Sequence, residues 1–255
     1  MKFSALNTNY RAALVLVIVA GVLVITAILT NRSDFTSAAL VVAGLVCLLT
    51  GIFFATLSGS DPLDLRYLSL LHVQGSINLT RTCADLGIQG NAYLIPGGRD
   101  TRARTMQFIP VADYNGAPLP PDLFVMGTSA AGFLMDPSCA PLLTLLRERE
   151  HLAIPSDMAA LHGLVRELVG DVLEVGARVT SSHEGDIITV TFGEYRLIDG
   201  CRAVNRESPK CCAANPCPVC SLCAAVFAEG TGKVVQVERC APDQISPSVT
   251  AVFSV

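Results

Sequence analysis

The chain opens with two long apolar runs and then changes character. Ala12 to Asn31 is an unbroken stretch of 20 uncharged residues, and Phe35 to Ser60 is a second uncharged stretch. At about 1.5 Å of rise per residue, a helix of that length reaches ~30 Å, the thickness of a hydrocarbon core. Backbone polar groups find no water in lipid, so both runs are predicted to be helices, spanning about residues 12–31 and 37–58. Asn31–Asp34 between them leaves room only for a tight hairpin. A cleaved signal peptide has a shorter apolar core and is not followed at once by another span, and buried core helices seldom run so far without a charge. Neither run contains a carboxylate, amine, guanidinium or imidazole, so the hairpin reads as an anchor rather than a transport path. Gly44 and Gly51, with Ala39 and Ala43, put small residues along one side of the second helix. Packing of the two hairpin helices accounts for that stripe, and self-association of two chains is its other use.

Beyond residue 60 the periodicity is that of a mixed domain. Asp61-Pro62 is a helix start, with Asp as cap and Pro in the first turn, followed by the amphipathic LDLRYLSLLHV. Ser76–Leu86 predicts a second short helix closed by Gly87. Asn91–Pro96 and Thr105–Val111 predict a hairpin whose turn carries Arg99, Arg102 and Arg104, and Leu123–Met126 with Ala131–Met135 predicts another. Pro141–Glu150 reads as a helix, and the LAIPS segment at Leu152 is a plausible boundary between regions 61–152 and 153–255. Met158, Leu161, Val165, Leu168, Val172 and Val175 then recur at alternating three and four residues, which predicts a helix capped by Ser156 or Asp157 and ended before Gly176. Arg178–Ser181 and Asp186–Tyr195 are predicted strands, with Ile188, Val190 and Phe192 on one face. The chain closes with a Cys-rich loop, a helix over Pro218–Glu229, and strands Lys233–Arg239 and Val249–Val255. No strand–helix–strand repetition occurs. The expected class is an α+β domain with an antiparallel sheet, preceded by a two-helix transmembrane hairpin over residues 1–60.

Composition agrees and adds orientation. Hydrophobic residues make up 51% of the chain, charged ones 16%, and mean hydropathy is +0.50, too apolar for a wholly soluble protein. Residues 1–60 carry only Lys2, Arg11, Arg32 and Asp34 as charged side chains, whereas residues 61–255 hold 15 basic and 21 acidic ones. That balance excludes disorder and a basic nucleic-acid binder, and the two short helices before Asn91 are followed by a strand rather than a basic recognition helix. Lys2, Arg11 and the α-amino group outweigh Arg32, so a multi-pass cell-membrane location with amino terminus and carboxyl-terminal domain cytoplasmic is expected. Asn31-Arg32-Ser33 and Asn78-Leu79-Thr80 are glycosylation triplets, of which only the first faces outward in that topology. The three arginines of the first hairpin turn read as a solvated turn, with anionic headgroups as their other use.

The candidate chemistry is sulfur. Seven of ten cysteines fall between Cys201 and Cys240, at positions 201, 211, 212, 217, 220, 223 and 240. Cys217-Pro-Val-Cys220 spans a loop-to-helix junction, where two thiolates reach one ion and the helix amino terminus lowers a thiol's pKa. With Cys211 and Cys212 just before it, the expected metal ligands are Cys211, Cys212, Cys217 and Cys220, with Cys201 or Cys240 able to complete the set. Zinc is the expected ion. An iron–sulfur cluster fits less well, because Phe227 stands where the ferredoxin pattern has its fourth Cys. Disulfides in an extracytoplasmic domain and thiol redox chemistry at the CxxC are the competing readings, and Cys223 reads as a small buried residue. No phosphate loop, GxSxG or HExxH is present, and His72, His151, His162 and His183 share no ligand spacing. His162, one place off its apolar stripe, is expected at a surface or boundary. No catalytic set is evident.

The last 75 or so residues resemble the vinyl-reductase type of small-molecule-binding domain. The matching stretches are Asp186–Phe192, CPVCSLCAAVFAEGTGKVVQVERC over Cys217–Cys240, and Thr250–Val255, with Cys220 and Cys240 where that family tends to have cysteines. The resemblance implies a ligand-binding or sensing module. The whole arrangement is similar to archaeal two-span membrane proteins with a Cys-rich domain. The expected partners are the lipid bilayer and a small molecule or protein, with no nucleic acid.

Overall fold

The computed structural model describes residues 8–30, 35–57, 64–98, 104–120, 122–127 and 130–255. The chain divides into two compact units, residues 1–63 and 64–255. The first consists of α1 (Thr8–Thr30) and α2 (Phe35–Leu57) packed together, both long and apolar enough to cross a membrane. Ala13, Ala20 and Ala27 recur every seven residues and are buried on α1. Gly44 and Gly51 face them on α2: a Cβ at Gly44 would lie 3.0 Å from Val24 Cγ2, and one at Gly51 3.1 Å from Val17 Cγ2. Small residues let the backbones approach, so the hairpin itself uses these two glycines, while Ala39 and Ala43 are exposed. The glycosylation triplet at Asn31 and the Asp61-Pro62 start lie outside the described residues.

The second unit is α+β. Its eight strands are β1 (Tyr93–Ile95), β2 (Met106–Pro110), β3 (Phe124–Met126), β4 (Ala131–Met135), β5 (Gly176–Glu184), β6 (Ile187–Tyr195), β7 (Val235–Pro242) and β8 (Val249–Ser254). They form one sheet in the order β3-β4-β2-β1-β7-β8-β6-β5, antiparallel throughout. The pairs β1–β2, β3–β4 and β5–β6 are the three hairpins predicted from strand periodicity. Pairing of β1 with β7 carries the sheet across Leu152, so residues 64–255 fold as one unit instead of dividing there.

The helices are α3 (Leu65–Leu71), α4 (Val73–Asp85), α5 (Ala140–Arg149), α6 (Met158–Glu167), α7 (Ile198–Glu207), α8 (Cys211–Ala214) and α9 (Pro218–Thr231). Asp64 starts α3 by accepting the Arg66 N–H at 2.9 Å, and Gly87, at φ +79°, closes the segment after α4. Val190, Phe192, Ala251, Phe253 and Val237 share one buried cluster with α9, whose residues Val219–Ala228 are all buried. Complete burial of a Phe or Leu side chain is worth about 1.5–3 kcal/mol, so Phe192, Phe227, Phe253 and Leu222 dominate this layer.

Three local features depart from the sequence pattern. The stripe beginning at Met158 does not run as one α-helix: α6 ends at Glu167 and continues as a single π-turn over Leu168–Val172. The wider turn shifts the phase, burying Leu168 and Val169 and leaving Val172 39% exposed. The Cys-rich loop is largely helical, as α7 and α8. Finally, β7 carries a bulge between Val237 and Arg239. Side chains along a strand alternate, so Val235 and Val237 facing the core would send Cys240 to the opposite side. The extra residue restores the phase, and Cys240 and Pro242 face the core.

Candidate thiol centre

Cys217 owes its position to Pro218. The ring fixes its own φ, pushes the preceding residue to extended backbone, and lacks an N–H that the first helical turn leaves unpaired anyway. Cys217 has φ −60° and ψ 161° and stands immediately before α9, with Cys220 one turn in. Cys217 is thus the capping residue of the helix, where the partial positive charge and the Cys220 backbone N–H favour its thiolate.

Other elements deliver more sulfur to this place. Cys201 comes from the buried side of α7 with Ile198 and Val204, Cys212 from the start of α8, Cys223 from the next turn of α9, and Cys240 from beyond the bulge. Cys201 hydrogen-bonds with Cys217, Cys217 with Cys220, and Cys220 with Cys240. Cys212 lies within electrostatic reach of Cys217 and Cys240, and buried Tyr195 within reach of Cys217, Cys201, Cys220 and Cys223. All ten cysteines are free thiols.

The environment divides these thiols sharply. Hydrogen bonds from Cys201 first and Cys220 second hold Cys217 well below the usual thiol range, against the burial that opposes them. The same hydrogen bond to Cys217, followed by other contributions that include burial, pushes Cys201 and Cys220 well up. Burial is the leading cause for Cys212 and Cys223, which are also raised. Cys139, fully buried at the start of α5 near Ser221, is pushed up by burial to about 11. Cys217 is thus shifted in the opposite direction to Cys201, Cys212, Cys220 and Cys223 around it.

Of the four expected ligands, Cys217 and Cys220 stand together and Cys212 is near them. Cys211 points elsewhere: its thiol donates to Thr80 Oγ1 at 3.2 Å, across to α4. Cys201 and Cys240 hold the places beside the pair. Among the described residues, no group of three or more His, Cys, Asp or Glu side chains is arranged to hold a metal ion as it stands. A surface groove of about 500 Å³ lined by Arg239, Ala241, Thr250 and Val252 lies on the other face of the sheet, because those positions alternate with Cys240, Ala251 and Phe253.

Two expectations about single residues change. His162 is buried, at 7% exposure, rather than at the surface: it packs on Phe227 with ring centroids 5.5 Å apart. The histidines are also not all isolated, since β5 brings His183 against His162. Arg104 pairs with Asp136 at 3.2 Å on the surface, and Arg99 and Arg102 lie outside the described residues. No family model matches the chain, and comparisons with curated proteins and with solved structures find no match.

Proposed function

We propose that the chain is a membrane-anchored sensing module whose responsive element is the thiol centre, with Cys217 as the reactive sulfur. The observation that carries this reading is the placement of buried Cys217 at the amino-terminal end of α9, hydrogen-bonded by the thiols of Cys201 and Cys220, which are themselves pushed up. Such a thiolate takes one oxygen from a peroxide, releasing water or an alcohol and becoming a sulfenic acid. The thiol of Cys201 or Cys220 then condenses with it, expelling water and leaving a disulfide. Two thiols are oxidised and one peroxide is reduced.

The anchor rests on α1 and α2. Large apolar side chains point outward all round the pair, Ile18 at 57% and Phe53 at 62% among them, a surface that lipid covers and water does not. Lys2 and Arg11 favour a cytoplasmic amino terminus and a cytoplasmic 64–255 unit, the compartment in which thiols stay reduced.

A second reading is favoured by the convergence of six thiols, Cys201 from α7, Cys212 from α8, Cys217, Cys220 and Cys223 from α9 and its start, and Cys240 from β7. Zinc is the ion that such a soft donor set selects, and Cys217 and Cys220 with Cys201, Cys212 or Cys240 would hold it, Cys211 being committed to Thr80.

The test is anaerobic purification of the full chain in detergent, elemental analysis, and mapping of thiols before and after limiting peroxide. Loss of two thiols with Cys217 in a disulfide to Cys201 or Cys220 is expected. Metal-free protein in which Cys217 stays reduced while other sulfurs oxidise refutes the sensing reading. Zinc near one equivalent, shielding the thiols until a chelator removes it, would replace it with the second. Alkylation of Cys201 in intact cells by a membrane-impermeant reagent would overturn the cytoplasmic placement.

A further inference from the structure

A second constellation lies at the far edge of the sheet, independent of the sulfur. His162 Nδ1 is 2.6 Å from Ser181 Oγ, and His162 Nε2 is 3.0 Å from His183 Nδ1. Residues 162, 181 and 183 belong to two elements: α6 supplies the central ring and β5 the two partners, two positions apart and therefore on one face of the strand. The rings of His162 and His183 are close to parallel, at 11°, and Phe227 backs the buried ring. The central imidazole is thus fixed by packing, while Ser181 is half-buried and His183 exposed.

Two proton arrangements complete this chain. In one, His162 carries its proton on Nε2, donates it to His183 Nδ1, and accepts from the Ser181 hydroxyl at Nδ1. That is the order nucleophile, base, orienting group, the pattern by which an activated hydroxyl is recognised.

Backbone geometry supplies the remaining part. The two-residue turn Gly185-Asp186 makes Glu184 and Ile187 a hydrogen-bonded pair, and the ladder alternates from there. Ser181 opposite Val190 and His183 opposite Ile188 therefore fall at non-hydrogen-bonded positions. Their N–H groups point away from β6, and β5 is the last strand of the sheet. The Ser181 N–H, beside its own Oγ, is free to donate to an oxyanion formed at that edge.

We propose that Ser181, His162 and His183 form an acyl-transfer site for carboxylic esters approaching the open edge of β5, with Ser181 as nucleophile, His162 as general base and His183 as the residue positioning it. Ser181 Oγ attacks the ester carbonyl as its proton passes to His162 Nδ1. The tetrahedral oxyanion collapses, the C–O bond to the alcohol breaks, and His162 returns the proton to the leaving alkoxide. Water then attacks the acyl-Ser181 ester by the same route, releasing the acid and restoring the hydroxyl. Burial first, then His183 and Arg166, lower the pKa of His162, which keeps the ring a neutral base near pH 7.

The test is labelling of the full chain in detergent with a fluorophosphonate, read by peptide mass spectrometry, alongside p-nitrophenyl butyrate hydrolysis. Covalent label on Ser181 is expected, lost in Ser181→Ala and retained in Ser182→Ala at the neighbouring exposed hydroxyl. His162→Gln should slow labelling by about 10²-fold or more, the usual contribution of a general base. Because His162 is buried, the exposed His183 gives the second arm: His183→Ala should slow labelling and move its pH profile, with partial recovery in His183→Gln, which keeps an acceptor. An unlabelled wild type, label that persists in Ser181→Ala, or a His183→Ala profile identical to wild type would each overturn the proposal.

Discussion

Gly200 is where the geometry of the thiol centre is most open to a decisive perturbation. It lies on α7 immediately before Cys201, and a Cβ built there would sit 2.1 Å from the carbonyl oxygen of Ser69, 2.9 Å from its carbonyl carbon and 3.3 Å from its Cβ. The obstacle is backbone, and Ser69 is 1% exposed, so no flexible side chain can swing aside. Ordinary contact begins at 3.4 Å, so α3 and α7 must part by about 1.3 Å. Overpacking of this kind costs ~1–3 kcal/mol, and a backbone clash belongs at the upper end. Replacing a helical Gly by Ala recovers ~1 kcal/mol of helix propensity, which leaves Gly200→Ala destabilising by about 2 kcal/mol. In a unit of this size that lowers Tm by roughly 4–8 °C. Gly163 on α6 is the control, since a Cβ there meets nothing within 4 Å. Gly163→Ala should therefore raise Tm by a few degrees, from propensity alone. Circular dichroism melts of the full chain in detergent read both, and peroxide oxidation of Cys217 should slow in Gly200→Ala as Cys201 moves away. A Gly200→Ala melt at or above that of the wild type would refute the close approach of α3 and α7.

Three further outcomes follow from the same contacts. His162 is held below its ordinary 6.5 by burial first, then by His183 and Arg166, so above 6.5 both folded and unfolded chains carry it neutral and its contribution is intact. As pH falls through 6.5 the unfolded chain takes up the proton first and stability drops, so urea midpoints should fall between about pH 7.5 and about pH 5.5, less so in His162→Gln. Cys139, pushed up to about 11, should resist maleimide at about pH 8 until denaturant is added, and rapid native labelling would contradict its burial. Glu229 accepts from Thr105 Oγ1 at 2.6 Å and pairs with Arg147, and its side chain is 15% exposed. Glu229→Ala should cost about 1–3 kcal/mol by chemical denaturation, whereas an unchanged midpoint would mean the network is idle.

The elements with strong periodicity were legible. The two apolar helices follow from run length, and β3–β4 and β5–β6 from alternation bounded by turn residues. What failed has a physical reason in each case. α7 hides because its buried side is only Ile198, Gly200, Cys201 and Val204, with a glycine inside and no side-chain cap at Leu197. The π-turn after α6 hides because a regular stripe of spacings does not reveal an inserted residue. Cys217 and Cys220 could be placed from Pro218 and their spacing, whereas Cys201 and Cys240 reach them through tertiary structure. The pair His162 and His183 joins a helix to a strand, a contact no local period encodes.

The bulge in β7 gives that last distinction a test. Val237 faces Phe253 and Arg239 faces Val252, so Glu238 is the surplus residue, and it lies exposed. Deleting Glu238 leaves a regular alternation in which Val237 and Cys240 still face the core, with the loss of its bonds to Ser254 Oγ and Asn91. Inserting one alanine between Arg239 and Cys240 does the reverse, sending Cys240 to the outer face beside Thr250 and Val252. Maleimide labelling mapped to Cys240 should therefore stay low in the deletion and rise strongly in the insertion, although the insertion leaves every original residue in place. Equal labelling of the two would show that something other than strand phase brings Cys240 to Cys220, and the account of how β7 completes the thiol centre would fall.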